Sequence, residues 1–162
     1  MTKNFDRQTF GSNVSYLIDQ MGWSVQYTAN QIGYNRMDLS AVLTGRKNFK
    51  LSTIIKIAQF FNVSVFLLFS RLFSEPSYQK SFPFVDTDYM QVIQKNFRSC
   101  SAKQANVALD TTTVSHILHG RRTNITIATL EQLAAGAGLS VSDLLKTAQD
   151  TAREKSIKED LL

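Results

Sequence analysis

Apolar residues recur along most of this chain with the spacing of helices. Val14, Leu17, Ile18 and Met21 sit three and four apart, as do Leu51, Ile54, Ile55 and Ala58, and again Ile127, Leu130, Leu133 and Ala134. Such spacing puts one apolar stripe on each helix and predicts amphipathic helices turned toward a core. No stretch carries the alternation of a half-buried strand. Boundaries are marked too. Ser24, Ser99, Ser64 and Ser140 each stand just ahead of an expected helix, where a hydroxyl suits the free amides of the first turn. Gly45 and Gly120 follow aliphatic helix ends, where a left-handed C-cap favours glycine. The chain therefore reads as two sets of about five short helices, an all-α fold.

The two sets share one frame. A shift of 75 positions pairs Ile32 with Val107, Gly33 with Ala108, Leu39 with Val114, Ser40 with Ser115, Val42 with Ile117, Leu43 with Leu118, Gly45 with Gly120 and Arg46 with Arg121. One extra residue then enters the second copy. A shift of 76 next pairs Leu51 with Ile127, Ile54 with Leu130, Ile57 with Leu133, Ala58 with Ala134, Ser64 with Ser140 and Leu68 with Leu144. The insertion falls in an expected loop, where a change of length costs little. Between the copies, "SEPSYQKSFPF" holds both prolines and reads as a linker. The predicted organisation is a first unit over 1–73, a linker over 74–85, a second unit over 86–147 and a charged, solvated helical extension over 148–162.

At 162 residues with 43% hydrophobic content, the chain has enough apolar material for a packed core. The net charge of +5 favours nucleic acid or another anionic partner without selecting between them. A single cysteine, Cys100, leaves no internal disulfide framework and suits a reducing compartment. Residues 1–13 lack the apolar stretch of a signal peptide, and the most apolar run, Val63 to Phe73, is too short and too interrupted to span a bilayer. A cytoplasmic protein with no membrane partner is expected.

In the first copy, "YTANQIGYNRMDLSAVLTGRKNFKLSTIIKIAQFFNVSVFLLF" resembles the helix-turn-helix domain of the phage-repressor and Cro (Xre-like) family. The shared pattern is small Ala29, aliphatic Ile32, Gly33 opening the turn, aliphatic Leu39 and a Gly-basic exit. A close helix crossing explains the small residue, and a tight turn explains the glycine. The second copy is similar through "TTTVSHILHGRR" and "LEQLAAGAGLSVSDLL", although Gln104 replaces Ala29 and Ala108 replaces Gly33.

The resemblance implies two tandem five-helix, lambda-repressor-like domains related by an internal pseudo-twofold axis, with double-stranded DNA as partner. The third helix of each, Asn35 to Leu43 and Asp110 to Leu118, would enter a major groove. Base readers would be Arg36, Met37 and Ala41 in one copy and Thr111, Thr112 and His116 in the other, with Ser40 and Ser115 beside them. Arg46, Lys47, Lys50, Arg121 and Arg122 would hold phosphates. The simpler reading of these basic residues is that they complement a helix C-terminus. One chain would act as an internal dimer on half-sites about 34 Å apart, and a homodimer remains open. Because the two reading sets differ, the preferred site should be asymmetric or an imperfect inverted repeat.

Three employments fit. One is a transcriptional regulator, in the usual case a repressor. A second is an accessory protein acting near a transfer origin, as in the small DNA-binding proteins of Gram-positive conjugative plasmids, which look like internal dimers. A third class is a protein-interaction module whose helix-turn-helix units have lost DNA contact; the basic exit kept in both copies argues against it. No catalytic, cofactor or metal constellation stands out, so an enzyme is not expected. His116 and His119 make a weak metal pair. Cys100, placed near the start of a helix, reads as packing ahead of redox sensing. Asp86 and Asp88 read as caps for the second copy's first helix, and Trp23 as core or interface. The Phe- and Leu-rich run through Phe66, Phe69, Leu72 and Phe73 reads first as a surface covering the other copy, and second as a dimer patch.

Overall fold

A computed structural model describes residues 5–70, 81–100 and 109–160. The first half holds α1 (Phe5–Met21), α2 (Val25–Ile32), α3 (Arg36–Leu43), α4 (Leu51–Phe61) and a 3₁₀ turn (Phe66–Phe69). The second holds α5 (Tyr89–Ser99), α6 (Thr111–Leu118), α7 (Ile127–Ala137), α8 (Val141–Leu145) and α9 (Ala148–Asp160). The protein is all-α; among the described residues the only extended pairing is an isolated antiparallel bridge between Lys50 and Thr126. No described helix is long and apolar enough to cross a membrane. The second helix expected in the second copy, with Gln104 and Ala108, lies outside the described residues, as do Leu72, Phe73 and 74–80 of the linker.

Local chemistry explains the elements. Ser24, Asn35, Asp88, Asp110, Thr126 and Ser140 cap α2, α3, α5, α6, α7 and α8 by accepting backbone amides of their first turns. Ala29 is wholly buried, and Gly33 ends α2 with φ +89°, its amide donating to Ala29. Gly11 allows the closest approach: a Cβ there would overlap the Leu43 carbonyl, so α1 lies directly on the end of α3.

Both halves feed one contiguous core, from Phe10, Leu39 and Ile54 through Phe66 and Phe82 to Ile93, Ile117 and Leu133. The 3₁₀ turn is buried and packs on both α1 and α8. This agrees with a surface that covers the other half.

The halves also join through an exchange of hydrogen bonds at the Lys50–Thr126 bridge. The Leu51 amide donates to the Ile125 carbonyl (2.7 Å), and the Ile127 amide donates to the Phe49 carbonyl (2.8 Å). Beside them, the Ser52 amide donates to Asn124 Oδ1 (3.1 Å) and the Ala128 amide to Asn48 Oδ1 (3.0 Å). Adding 76 to one partner of each bond yields the partner in its twin. Farther along, the Ser142 hydroxyl donates to the Phe66 carbonyl (3.0 Å), and these two positions are again 76 apart. Arg7 and Glu131 add an ion pair of 2.9 Å between halves.

Several local expectations are corrected. Ser99 is the last residue of α5, its hydroxyl donating back to Lys95, and Cys100 closes that helix with its thiol 2.8 Å from the Phe97 carbonyl. Cys100 thus closes α5, and the helix it was expected to open lies outside the described residues. Ser64 caps nothing; it is buried and donates to Asp150 Oδ1 (2.7 Å). Asp88 caps α5, whereas Asp86 is simply exposed. The extension does form a helix, yet α9 is seated on the fold: Asp150 is wholly buried, and Arg153, Glu154 and Ile157 continue its inward stripe. At the described end of the linker, Phe82 is wholly buried and its carbonyl accepts the Ser64 amide.

Candidate nucleic-acid interface

The helices α3 and α6 are built alike, residue for residue. Each has eight residues; Asn35 Oδ1 accepts the Asp38 amide at 2.7 Å, and Asp110 Oδ1 accepts the Thr113 amide at 2.8 Å. Each ends in a Schellman turn. Gly45 (φ +74°) and Gly120 (φ +76°) take the left-handed position that glycine adopts most readily. The Arg46 amide donates to the Ala41 carbonyl, and the Arg121 amide to the His116 carbonyl. The Gly-basic phrase is therefore one backbone device used twice.

Leu39 and Val42, and likewise Val114, Ile117 and Leu118, point into the core. Helical geometry then turns the first, second, fifth and sixth positions outward together. Arg36, Met37, Ser40 and Ala41 share one outer face in α3, and Thr111, Thr112, Ser115 and His116 share its counterpart in α6. Arg36, Met37, Thr111 and Thr112 are exposed; Ser40, Ala41, Ser115 and His116 are half-buried. Met37 is 83% exposed, which removes it from any packing role within this chain. His119 holds Nδ1 2.8 Å from the Ser115 carbonyl and 3.2 Å from its hydroxyl, so one ring nitrogen is occupied by its own helix.

The basic residues are not equivalent. Arg46 is exposed and donates from Nε to the Thr44 hydroxyl (2.9 Å). Lys47 lies 2.9 Å from Asp38 Oδ1, and that contact, helped by Asn35, holds the Asp38 carboxyl below its ordinary range. Lys50 is exposed at the bridge. Arg121 and Arg122 are exposed and make no ion pair among the described residues. Hydrogen bonds from Thr113, and after them the charge of Arg122, lower the Asp110 carboxyl.

Two features escaped the sequence reading. Asp38 and Lys47 are nine positions apart on a helix and its exit turn, a spacing with no periodic signal. Asn48 and Asn124 did leave a trace: they are identical residues 76 apart in the register already established. Comparison with protein-family models, curated proteins and solved structures gave no match.

Proposed function

We propose that this chain binds double-stranded DNA sequence-specifically through two helix-turn-helix units related by an internal pseudo-twofold axis, and that it serves as a transcriptional regulator. The observation that carries the proposal is the doubled frame of α3 and α6: the same cap position, the same Schellman exit and the same four outward positions, with side chains that differ at three of the four. A helix held by its neighbours and offering four exposed or half-exposed side chains suits a groove. In this reading Arg36 pairs with guanine, the methyls of Thr111 and Thr112 meet thymine, and His116 donates or accepts at a base edge. Arg46, Lys50, Arg121 and Arg122, with Lys47 once parted from Asp38, hold phosphates.

The exchanged hydrogen bonds support the pseudo-twofold. Gly45 lies five residues before Lys50, and Gly120 six before Thr126. At about 3.3–3.6 Å per extended residue, with about 5 Å across the bridge, these segments keep the two helix exits within roughly 45 Å. One helical turn of DNA, about 34 Å, fits inside that limit.

The test is selection from a random duplex pool, followed by footprinting and a salt titration. Expected are two protected half-sites of unlike sequence and log K falling with log salt by about 0.9 per phosphate contact. Arg36→Ala relaxes preference at one base pair, whereas Arg46→Ala or Arg121→Ala weakens all duplexes alike. A flat salt response overturns the reading in favour of a protein-interaction module. Protection confined to a transfer origin selects the conjugation role over promoter control.

A further inference from the structure

The exchanged bonds do more than join two halves. Each long helix behind the basic exits starts with amides that its own half leaves unmet, and the other half supplies the acceptors. In α4 the first two amides, of Leu51 and Ser52, go to the Ile125 carbonyl and to Asn124 Oδ1. In α7 the first two, of Ile127 and Ala128, go to the Phe49 carbonyl and to Asn48 Oδ1. These are N-caps supplied across the bridge. They are unequal, because Lys50 gives α4 no side-chain cap, whereas Thr126 caps α7 from its own half at the Thr129 amide. Asn124 also donates from Nδ2 to the Ser52 hydroxyl (3.0 Å).

Both asparagines lie in the short loops that follow the Schellman turns, two or three residues beyond Arg46 and Arg121. Whatever fixes these loops against each other fixes the basic exits of α3 and α6 relative to one another. The shared core holds the helices from behind, while the crossed caps hold the loops in front.

We propose that Asn48 and Asn124 are the positioning residues that set the spacing between the two half-sites, so that the chain measures the distance between its half-sites as well as reading their bases. The proposal rests on the DNA reading above. It assigns the asparagines no base contact, and Asn124 carries the larger share because α4 has no cap of its own.

The test uses the full chain and the duplex it selects, with one, two or five base pairs inserted or one removed at the centre between half-sites. Wild type should lose roughly tenfold in affinity for a one-base-pair change, because only one half-site is then fully engaged. In Asn48→Ala/Asn124→Ala that penalty should shrink to about threefold, with base preference inside each half-site unaltered. Asn124→Ala alone should account for more of the shrinkage than Asn48→Ala. Asn124→Asp keeps the acceptor and should keep the spacing penalty, and any general charge effect on affinity cancels in the ratio between spacings.

A second measurement works without DNA and guards against a variant that loosens everything. Spin labels on Arg36→Cys and Thr111→Cys, in a Cys100→Ser background, should give a narrow distance distribution that broadens in the double alanine variant while the unfolding transition stays cooperative. A wild type indifferent to spacing overturns the proposal, as does a folded double variant with the full penalty and an unchanged label distance. If no duplex is enriched at all, the DNA reading falls and the spacing role with it.

Discussion

The first helix of each half meets its partners through the same surface in opposite ways. Asn13 donates to the Leu68 and Ser70 carbonyls, and Asn96 donates to the equivalent Leu144 and Lys146 carbonyls, so these asparagines correspond although they are 83 apart. In that register Gly11 matches Gln94. Gly11 lets α1 rest directly on the end of α3, while Gln94 stands α5 off and reaches across with Nε2 to the Ile117 carbonyl at 2.9 Å. Twenty-three positions separate Asn13 from Arg36, but only fifteen separate Asn96 from Thr111. The outer face of α3 is thus reproduced in α6 on a shorter route with a different support. What the frame preserves is the helix and its exit; what lies behind them is free to change.

The largest expected effect breaks the tighter of the two contacts. Gly11→Ala should destabilise the protein by about 2–3 kcal/mol in urea unfolding, because steric overlap with backbone outweighs the gain in helix propensity. Gln94→Ala should cost only about 1 kcal/mol, the value of one ordinary hydrogen bond. Equal losses would show that the halves are supported alike after all.

Next is the link by which the second half's last helix reaches the first. Asp150 receives the Ser64 hydroxyl on Oδ1, and both the amide (3.0 Å) and hydroxyl (2.8 Å) of Thr147 on Oδ2. Asp150→Ala leaves these donors buried without an acceptor and should cost about 2 kcal/mol. Hydrogen exchange should then show α9 opening before the core; protection of α9 equal to that of the parent protein would contradict this anchoring.

A smaller effect concerns the exits. Lys47 is occupied by Asp38, whereas Arg122 has no ion pair among the described residues. Under the DNA reading, Arg122→Ala should weaken nonspecific duplex binding more than Lys47→Ala. Asp38→Asn should strengthen it and steepen the salt slope by about 0.9, one further phosphate contact. An unchanged slope would mean that Lys47 reaches phosphate without leaving Asp38.

Smallest is a pH effect at the ion pair between halves. Burial raises the Glu131 carboxyl above its ordinary value although Arg7 pulls it down. A raised folded-state value means that the folded chain holds this proton more tightly. The associated stability is therefore full below the unfolded value and is lost as pH rises through the folded one. Glu131→Gln should remove this one descending step from a plot of stability against pH, a change well below 1 kcal/mol at a partly exposed pair. The opposite sign would place Arg7 ahead of burial.

Much of this was legible in the sequence, for a definable reason. The amphipathic stripes, the Gly45 and Gly120 turns, the Ser24 and Ser140 caps and the outward quartets all depend on residues within about five positions of each other. Where a partner is distant, the same residue types misled. Ser64 has the spacing of an N-cap and the environment of a buried donor. Phe82 lies in a Pro-rich stretch that reads as linker, yet it packs edge-on against Phe66 with ring centroids 5.1 Å apart. Asp150 sits in a charged helix, and its carboxylate is nonetheless enclosed.

The sequence by itself determined most of the described helices, many of their ends and the repeated register, since hydrophobic periodicity and capping chemistry act over one or two turns. Only the tertiary structure decided which half completes the other. The amides of Leu51 and Ile127 find acceptors more than 70 residues away, at the one place where the two short loops run antiparallel. Each loop carries an asparagine at the repeated position, but that repeat does not say that the two loops face each other. Unmet amides at two helix starts need acceptors, and the packing of a shared core brings each within reach of the other.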